Sequence, residues 1–412
     1  MTDESGIILA VLPSDRLLDV DALRRRLSRE FYPLTASRTQ TLFQDCEEQA
    51  WPPLAKAYGM RAIVDVSLYS QLVIRFMPGR RNIQIGMSVQ EFQRLMGDVA
   101  LGRFSAPLHG LDAQVHFASL HNSPGEPLAQ RIGDAIERCE NLPVLPESAT
   151  EIFKLATDPN AGARDLAKVI ELDSALTANI LRYANSSFYG HQGEITDVQS
   201  AISRVLGFDR VLSLAIGMSI GRSFRILTEG PLGLNAYRRN AVYCAALSQK
   251  LAHALPKSNT AHAGTAYAAG LLHDFGRLFV GHVFPREYSL LERSLLANSH
   301  ASMPDIEHNL MGIGHDEIAA RLLQSWQLPE TIVAAVRHHH NPSYRGEHAL
   351  YAKLVLIANC ALAKYGLNTS ESDHLSPEVL TDLGLTEKCV REAADALWQD
   401  CADMETLAQL VA

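Results

Sequence analysis

The chain has 412 residues, 47% of them hydrophobic and 20% charged, a length that excludes a single small fold and allows two or three domains of about 150 residues each. Thirty-seven Lys and Arg against 46 Asp and Glu give a net charge of −9. The basic residues are dispersed, which argues against a duplex-binding surface built on phosphate neutralisation.

In chain order, the apolar run from Ile7 to Leu12 has the length of a buried strand, and Asp19 to Ser28, with Val20, Leu23 and Leu27 spaced for one face, predicts a helix after it. Ala62 to Val66, Leu72 to Phe76 and Asn82 to Met87 read as three further short strands, separated by turn formers that include Pro78-Gly79. Ser88 is placed to cap a helix carrying Phe92, Leu95 and Met96. Residues 1–106 are therefore expected to form an α+β domain, a small mixed sheet with helices. The pattern then decays into His, Gly, Ser, Asn and Pro, ending in Asn122-Ser123-Pro124-Gly125-Glu126-Pro127, and this stretch predicts a linker over 107–130.

From Ile132 onward the apolar residues recur with a helical period. Leu166, Val169 and Ile170 share a face, as do Leu176, Ile180 and Leu181, then Ile202, Val205 and Leu206, then Val211, Leu212, Ala215 and Ile216. Asp173, Asp197 and Asp209 stand where helix starts are expected. The prediction is an all-helical domain over 131–345, with C-terminal helices over 346–412, carrying Ala394, Leu397 and Leu407, packed on it. No repeat of 20–50 residues is visible, which speaks against a solenoid.

The six cysteines, at 46, 139, 244, 360, 389 and 401, form no CxxC pair, a pattern that suits reduced thiols in a cytoplasm better than a disulfide framework or a zinc cage. No apolar run approaches the roughly 18 residues of a membrane span, and the chain opens with Asp3 and Glu4 instead of a basic leader. A cytoplasmic, unexported protein with no membrane contact is the expectation.

Asn141-Leu142-Pro143-Val144-Leu145-Pro146, Asp158-Pro159, the run Ile170 to Thr177, the run Leu181 to Tyr189, Ala201 to Gly207, and Leu271-Leu272-His273-Asp274-Phe275-Gly276 follow one another in a fixed order. Together they resemble the HDOD family. That resemblance implies a bacterial signalling or regulatory module related to the HD phosphohydrolases and without their hydrolytic activity. An HD hydrolase gathers imidazoles and carboxylates on one or two divalent metals, because the metal must lower the pKa of a bound water and neutralise phosphate charge. The candidates here are the dyad His273-Asp274, His315 42 residues after His273, and His339 and His340 before Asn341-Pro342.

Where related sequences place a first metal-binding His, this chain reads Tyr237-Arg238-Arg239-Asn240, and where a closing Ala-Asp would stand it reads Ala358-Asn359. A guanidinium cannot ligate a metal, and an amide is a poor bridging carboxylate. Three readings of His273-Asp274 stay open: a structural dyad, which is preferred, a residual metal site, and a catalytic centre. Arg239 in a vacated metal position would meet an anion or phosphate, and the alternative is a salt-bridged surface Arg. Adjacent residues on a helix point about 100° apart, so His338, His339 and His340 cannot all face one pocket. The polar turn Asn185-Ser186-Ser187 reads as capping structure ahead of ligand contact.

The front domain carries a second resemblance, on Ile8 to Leu12, Pro13-Ser14-Asp15, Leu17 to Val20, Trp51-Pro52-Pro53, Ile63-Val64-Asp65 and Asn82 to Ile85. It is similar to the YbaK and prolyl-tRNA editing family, which implies hydrolysis of mischarged aminoacyl-tRNA by way of an upstream strand lysine and a glycine-rich loop. Lys56 is the one lysine before the expected linker, and Glu48-Gln49-Ala50-Trp51 stands where the glycine-rich approach is expected. A scaffold for partner or self contacts is therefore favoured over a deacylase. The Arg24-Arg25-Arg26 run spreads around a helix, as a solvated face does.

The expectation for the whole chain is a non-catalytic signalling protein that works through protein partners, without DNA, with self-association open. No cofactor is required by this reading, and one weakly held divalent metal is its upper bound. The alternatives are a metal-dependent phosphohydrolase of nucleotides or cyclic dinucleotides and an aminoacyl-tRNA deacylase.

Overall fold

The computed structural model describes the chain apart from residues 35, 48–49, 109–126, 139–150, 153, 156–157, 159, 186–193, 209–210, 213, 216–217, 219–225, 227–229, 258, 260, 299, 368–374, 400–403, 406–407 and 409–412. Most of the expected linker, the 141–146 pattern, residues 186–189, Asp209 and the Glu48-Gln49 pair lie outside the described residues. The chain divides into two compact units, Met1–Pro127 with Ser289–Gly312, and Leu128–Tyr288 with Ile313–Ala412. No helix among the described residues is long and apolar enough to cross a membrane.

The first unit has a four-stranded mixed sheet in the order β1 (Thr2–Asp3), β2 (Gly6–Val11), β4 (Arg61–Asp65), β7 (Ala100–Gly102). Strand β4 lies parallel to β2 and β7, with Ala10 opposite Ile63 and Val64 opposite Leu101. Two ribbons complete it, β3 (Arg16–Leu18) with β8 (Ser105–Pro107) and β5 (Val73–Phe76) with β6 (Ile85–Ser88). Successive residues of a strand face opposite ways, so β4 feeds two cores. Ile63 joins Ile8, Leu18, Leu23, Phe31 and Phe104, and Val64 joins Leu68, Ile74, Phe92 and Met96.

Both helices expected in this unit form, the second at its expected cap Ser88. Asp19 accepts from the amide of Ala22 at α1 (Val20–Leu27), and Ser88 with Glu91 forms a reciprocal capping box at α3 (Val89–Met96). A further short helix, α2 (Ala36–Leu42), lies between them in sequence. Strands β1, β3, β7 and β8 have two or three residues each, too few to show an alternation.

Ser289–Gly312 belongs to this unit, although its helical period groups it in sequence with the region expected over 131–345. Asn298, fully buried, accepts from the Leu18 amide at 2.6 Å and donates to the Leu18 carbonyl at 3.3 Å. His300 Nε2 stands 2.9 Å from the Arg16 carbonyl, and Asn309 donates to the Pro107 carbonyl at 2.7 Å. Periodicity marks a helix but not the core it joins, so this assignment could not be read from the sequence.

The second unit is helical. Its described helices are α4 (Leu128–Glu137), α5 (Ala163–Glu171), α6 (Ser174–Ala184), α7 (Leu234–Ala254), α8 (Ala263–Leu272), α9 (Phe275–Val283), the start of α10 (Pro285–Ala297), α12 (His315–Ser325), α13 (Glu330–His338), α14 (Ala349–Ala363), α15 (Pro377–Leu383) and α16 (Glu387–Gln399), while α11 (Met303–Met311) lies in the first unit. The expected caps Asp173 and Asp197 accept hydrogen bonds from the first-turn amides after them.

Two glycines set how closely these helices approach. A Cβ on Gly270 would stand 2.8 Å from the Ala245 Cα and 2.9 Å from the Cys244 carbonyl, so α8 lies directly on the α7 backbone. A Cβ on Gly276 would collide with the His315 carbonyl, so the first turn of α9 is pressed on the start of α12.

Candidate functional site

The close approaches at Gly270 and Gly276 bring α7, α8, α9 and α12 together around Asp274, which lies between α8 and α9. His273, Asp274, His315 and His339 are buried, and His340 is half-buried. His273 ends α8, His315 opens α12, and His339 follows the last residue of α13. Because the chain leaves the helix at His339 and turns, the 100° helical step no longer separates His339 from His340, and both reach the site. His338 stays on the helix and stacks on Tyr344 instead, with ring centroids 3.8 Å apart.

The two oxygens of Asp274 have different surroundings. Oδ2 accepts from Arg277 Nη1 at 2.8 Å and from the Asn240 amide at 2.9 Å, with His273 Nε2 at 3.3 Å. Oδ1 accepts no hydrogen bond of good geometry and faces His315 Nε2 at 3.1 Å. His315 Nε2 is in turn 3.1 Å from His340 Nε2, 3.4 Å from His339 Nε2 and 3.4 Å from Arg277 Nη2. The Nδ1 atoms of His273 and His339 stand 2.7 and 2.6 Å from the carbonyls of Gly270 and Val336, which turns each Nε2 inward.

Burial pulls the His273 ring down, but the charge of Asp274, with a contribution from Cys244, outweighs it and holds the ring well above its ordinary value of 6.5. Burial pushes the Asp274 carboxyl up, and the Arg277 guanidinium and His273 outweigh that to hold it well below 3.8. His339 lies well below 6.5, through burial first and then the neighbouring rings of His340, His273 and His315.

The structure thus gathers five of the sequence candidates, His273, Asp274, His315, His339 and His340. It does not bring Arg239 to them. Arg239 is 42% exposed and paired with Glu405 at 2.8 Å, while its neighbour Asn240, about 100° further round α7, faces Asp274. Arg239 thus forms the salt bridge of its surface reading. Asn359 is buried on α14 with neither end of its amide hydrogen-bonded, and no described contact joins it to the cluster.

Asn240, Cys244 and Arg277 were not among the sequence candidates. Arg277 had a signal, since it follows Asp274 by three residues and so returns to the same face one turn on. Asn240 and Cys244 had one only jointly, as an i, i+4 pair on α7.

A divalent cation fits one side of this carboxylate and not the other. The ring nitrogens of His315, His339 and His340 lie within 4.8 Å of one another, as do a ring nitrogen each of His273 and His339 and a carboxylate oxygen of Asp274. A second metal on Oδ2 would meet the Arg277 cation and the Asn240 N–H group where a lone pair is required.

Comparison with known proteins agrees with both resemblances. A model of the HDOD domain matches residues 142–342, and a model of the aminoacyl-tRNA editing domain matches residues 1–95. A Marinobacter aquaeolei VT8 protein of known structure, provisionally named for signal transduction, is 30% identical over 100% of this chain and 92% of its own, with a TM-score of 0.84. An HDOD domain protein of unknown function from Geobacter sulfurreducens shares the fold at 20% identity, covering 69% of this chain and 97% of its own with a TM-score of 0.56. An uncharacterised protein of Treponema pallidum (strain Nichols) is 28% identical over 238 residues, 57% of this chain, and the matched part spans only 44% of that relative. The chain belongs to the HDOD family and carries an aminoacyl-tRNA editing domain before its HDOD domain in sequence.

Proposed function

We propose that this chain is a non-hydrolytic regulatory protein whose HDOD domain signals through a protein partner. The observation that carries this reading is the occupation of Asp274 Oδ2 by Arg277 and Asn240 at 2.8 and 2.9 Å. A second ion of a two-metal hydrolytic centre held at this carboxylate would need a lone pair of that oxygen facing it. Here it is held by protein donors. The Marinobacter relative, matched along the full chain, is provisionally named for signal transduction, which supports the same reading. The described cysteines Cys46, Cys244 and Cys389 are free thiols, in keeping with a reducing cytoplasm.

The convergence of four imidazoles and one carboxylate favours a competing reading, a metal-dependent phosphohydrolase of nucleotides or cyclic dinucleotides. Deacylation of tRNA has less support. Lys56 Nζ lies against Gly97 at the C-terminal end of α3, as a helix-capping cation does.

The test is a turnover assay of the full chain on bis-nitrophenyl phosphate, nucleotides and cyclic dinucleotides with Mg²⁺, Mn²⁺ or Fe²⁺. The rate is expected to equal that of His273→Ala protein. Turnover lost in His273→Ala would reverse the reading.

A further inference from the structure

We propose that the outer edge of β5 is a docking site for an extended segment of a partner protein, which adds there as an antiparallel strand and sets an acidic side chain against Arg75. A strand edge that nothing covers is a template for further pairing, and folded proteins usually close it. The first unit places a protein group on each of its other edges. On β1, Thr2 exchanges hydrogen bonds with Tyr32 at 2.8 and 2.9 Å, and on β3 the Leu18 amide and carbonyl are both taken by Asn298. Arg26 Nε donates to the Leu101 carbonyl of β7 at 3.2 Å, and Asn309 donates to the Pro107 carbonyl of β8 at 2.7 Å. The Ser88 amide of β6 donates to Glu91 within the capping box of α3. Among the described residues nothing closes β5.

The register shows which atoms are offered. Val73 lies opposite Ser88, Ile74 opposite Met87, Arg75 opposite Gly86 and Phe76 opposite Ile85, and the Val89 amide donates to the Leu72 carbonyl one step beyond. Hydrogen-bonded and non-hydrogen-bonded pairs alternate along an antiparallel ladder, so Leu72, Ile74 and Phe76 direct their backbone groups to β6, and Val73 and Arg75 turn theirs outward. The side chains alternate as well. Ile74 enters the core with Phe92 and Met96, while Val73 and Arg75 stand on the opposite face beside Gly86, which has no side chain to cover them. Val73 is 49% exposed and Leu72, next to it, 89%. The edge thus offers the amides and carbonyls of Val73 and Arg75, an apolar contact and a guanidinium.

Charge selects the occupant. From Val66 to Gln90 the chain carries Arg75, Arg80 and Arg81 and no Asp or Glu. Arg80 is paired with Glu47 at 3.0 Å, whereas no described carboxylate meets the exposed Arg75. A second copy of this chain pairing through β5 would bring two arginines to one joint face with no acid between them, and like charges facing each other across strands are destabilising. A strand with Asp or Glu opposite Arg75 and an apolar residue opposite Val73 gains at both positions. Antiparallel to β5 it meets Arg75 first, so its sequence reads acidic residue, any residue, apolar residue. The backbone ladder supplies affinity and these two side chains supply specificity. The surface lies on the first unit, so turnover by the HDOD domain would leave it standing, and its failure would leave the non-hydrolytic reading untouched.

The probe is a fluorescent, end-blocked peptide of threonines in which one Glu and one Val stand two residues apart, Glu first, titrated into the full-length protein and read by anisotropy. It should saturate a single site per chain, and the same peptide N-methylated at the Glu and the Val, which removes the donors facing β5, should not bind. Arg75→Glu should weaken binding about tenfold, and a peptide with Lys in place of Glu should regain it on that variant, since opposite charges across a strand pair stabilise and like charges do not. Val73→Pro removes an outward N–H, spares the β5–β6 ladder and should also weaken binding. In hydrogen exchange the Val73 and Arg75 amides should gain protection on binding, while those of Ile74 and Phe76, already bonded to β6, keep theirs. No binding, equal binding of the N-methylated peptide, indifference to Arg75→Glu, protection gained elsewhere, or self-association that depends on β5 would each overturn the proposal. So would tRNA or anionic vesicles binding through Arg75 where the peptide does not. The gain by the Lys peptide decides even if Val73→Pro misfolds.

Discussion

At the scale of single residues, charge is placed where one partner decides its state. Lys353 on α14 is almost fully buried and donates to Asp382 at 2.7 Å, and Arg345 reaches the same carboxylate at 3.2 Å. The hydrogen bond from Lys353 holds Asp382 below its ordinary 3.8, against a smaller opposing effect of desolvation. A depressed carboxyl stabilises the fold above the unfolded value and loses that contribution as pH falls through the folded one. Asp382→Asn should therefore lower Tm at neutral pH, and the gap to wild type should close as pH drops below 3.8. A gap unchanged down to acid would mean that the pair contributes nothing to stability. Sequence reading is strongest and weakest at this same scale. It found His273, Asp274, His315, His339 and His340 because imidazole and carboxylate announce metal chemistry by type, and it chose Arg239 over Asn240 because a one-residue step on a helix, invisible in a motif, moves a side chain by about 100°.

At the scale of elements, the helical period located α5 and α6 and Asp173 located the start of α6, but the spacing between helices is set by what is missing from them. Gly276 lets α9 touch the His315 carbonyl, and that contact carries His315 to Asp274. Gly276→Ala cannot be absorbed by a side-chain rotation, because the atom it meets is backbone. The helices must part, at a cost of about 3 kcal/mol, the upper end for overpacked cores. The loss should appear in chemical denaturation as a lower midpoint with an unchanged m-value. A variant as stable as wild type would show that the approach is not fixed by this glycine. The motif His273-Asp274-Phe275-Gly276 was legible as a string, yet its glycine was read as part of a signature and not as the point where two helices meet.

At the scale of the whole molecule, the first unit is discontinuous, and this sets a test in the intact chain. The Leu18 amide lies in a ribbon of two short strands, too small to hold itself, and its hydrogen bond goes to Asn298, 280 residues away in sequence. Hydrophobic patterning shows that Pro285–Ala297 is a helix, but the buried amide beyond its end, which binds the backbone of β3 at both the N–H and the C=O, has no periodic signal. Asn298→Ala leaves a buried N–H without an acceptor, which costs about 1–3 kcal/mol. Asn298→Asp keeps the acceptor for Leu18 but loses the donors to the Leu18 and Ser294 carbonyls and buries a charge, so it should be no less destabilising. Hydrogen exchange read residue by residue is the measurement. In Asn298→Ala the Leu18 amide should exchange about 10- to 100-fold faster, while amides of α8 and α14 in the second unit keep their wild-type protection. If Leu18 keeps its protection in the alanine variant, Ser289–Gly312 is not what secures β3, and the first unit is held by Met1–Pro127 alone.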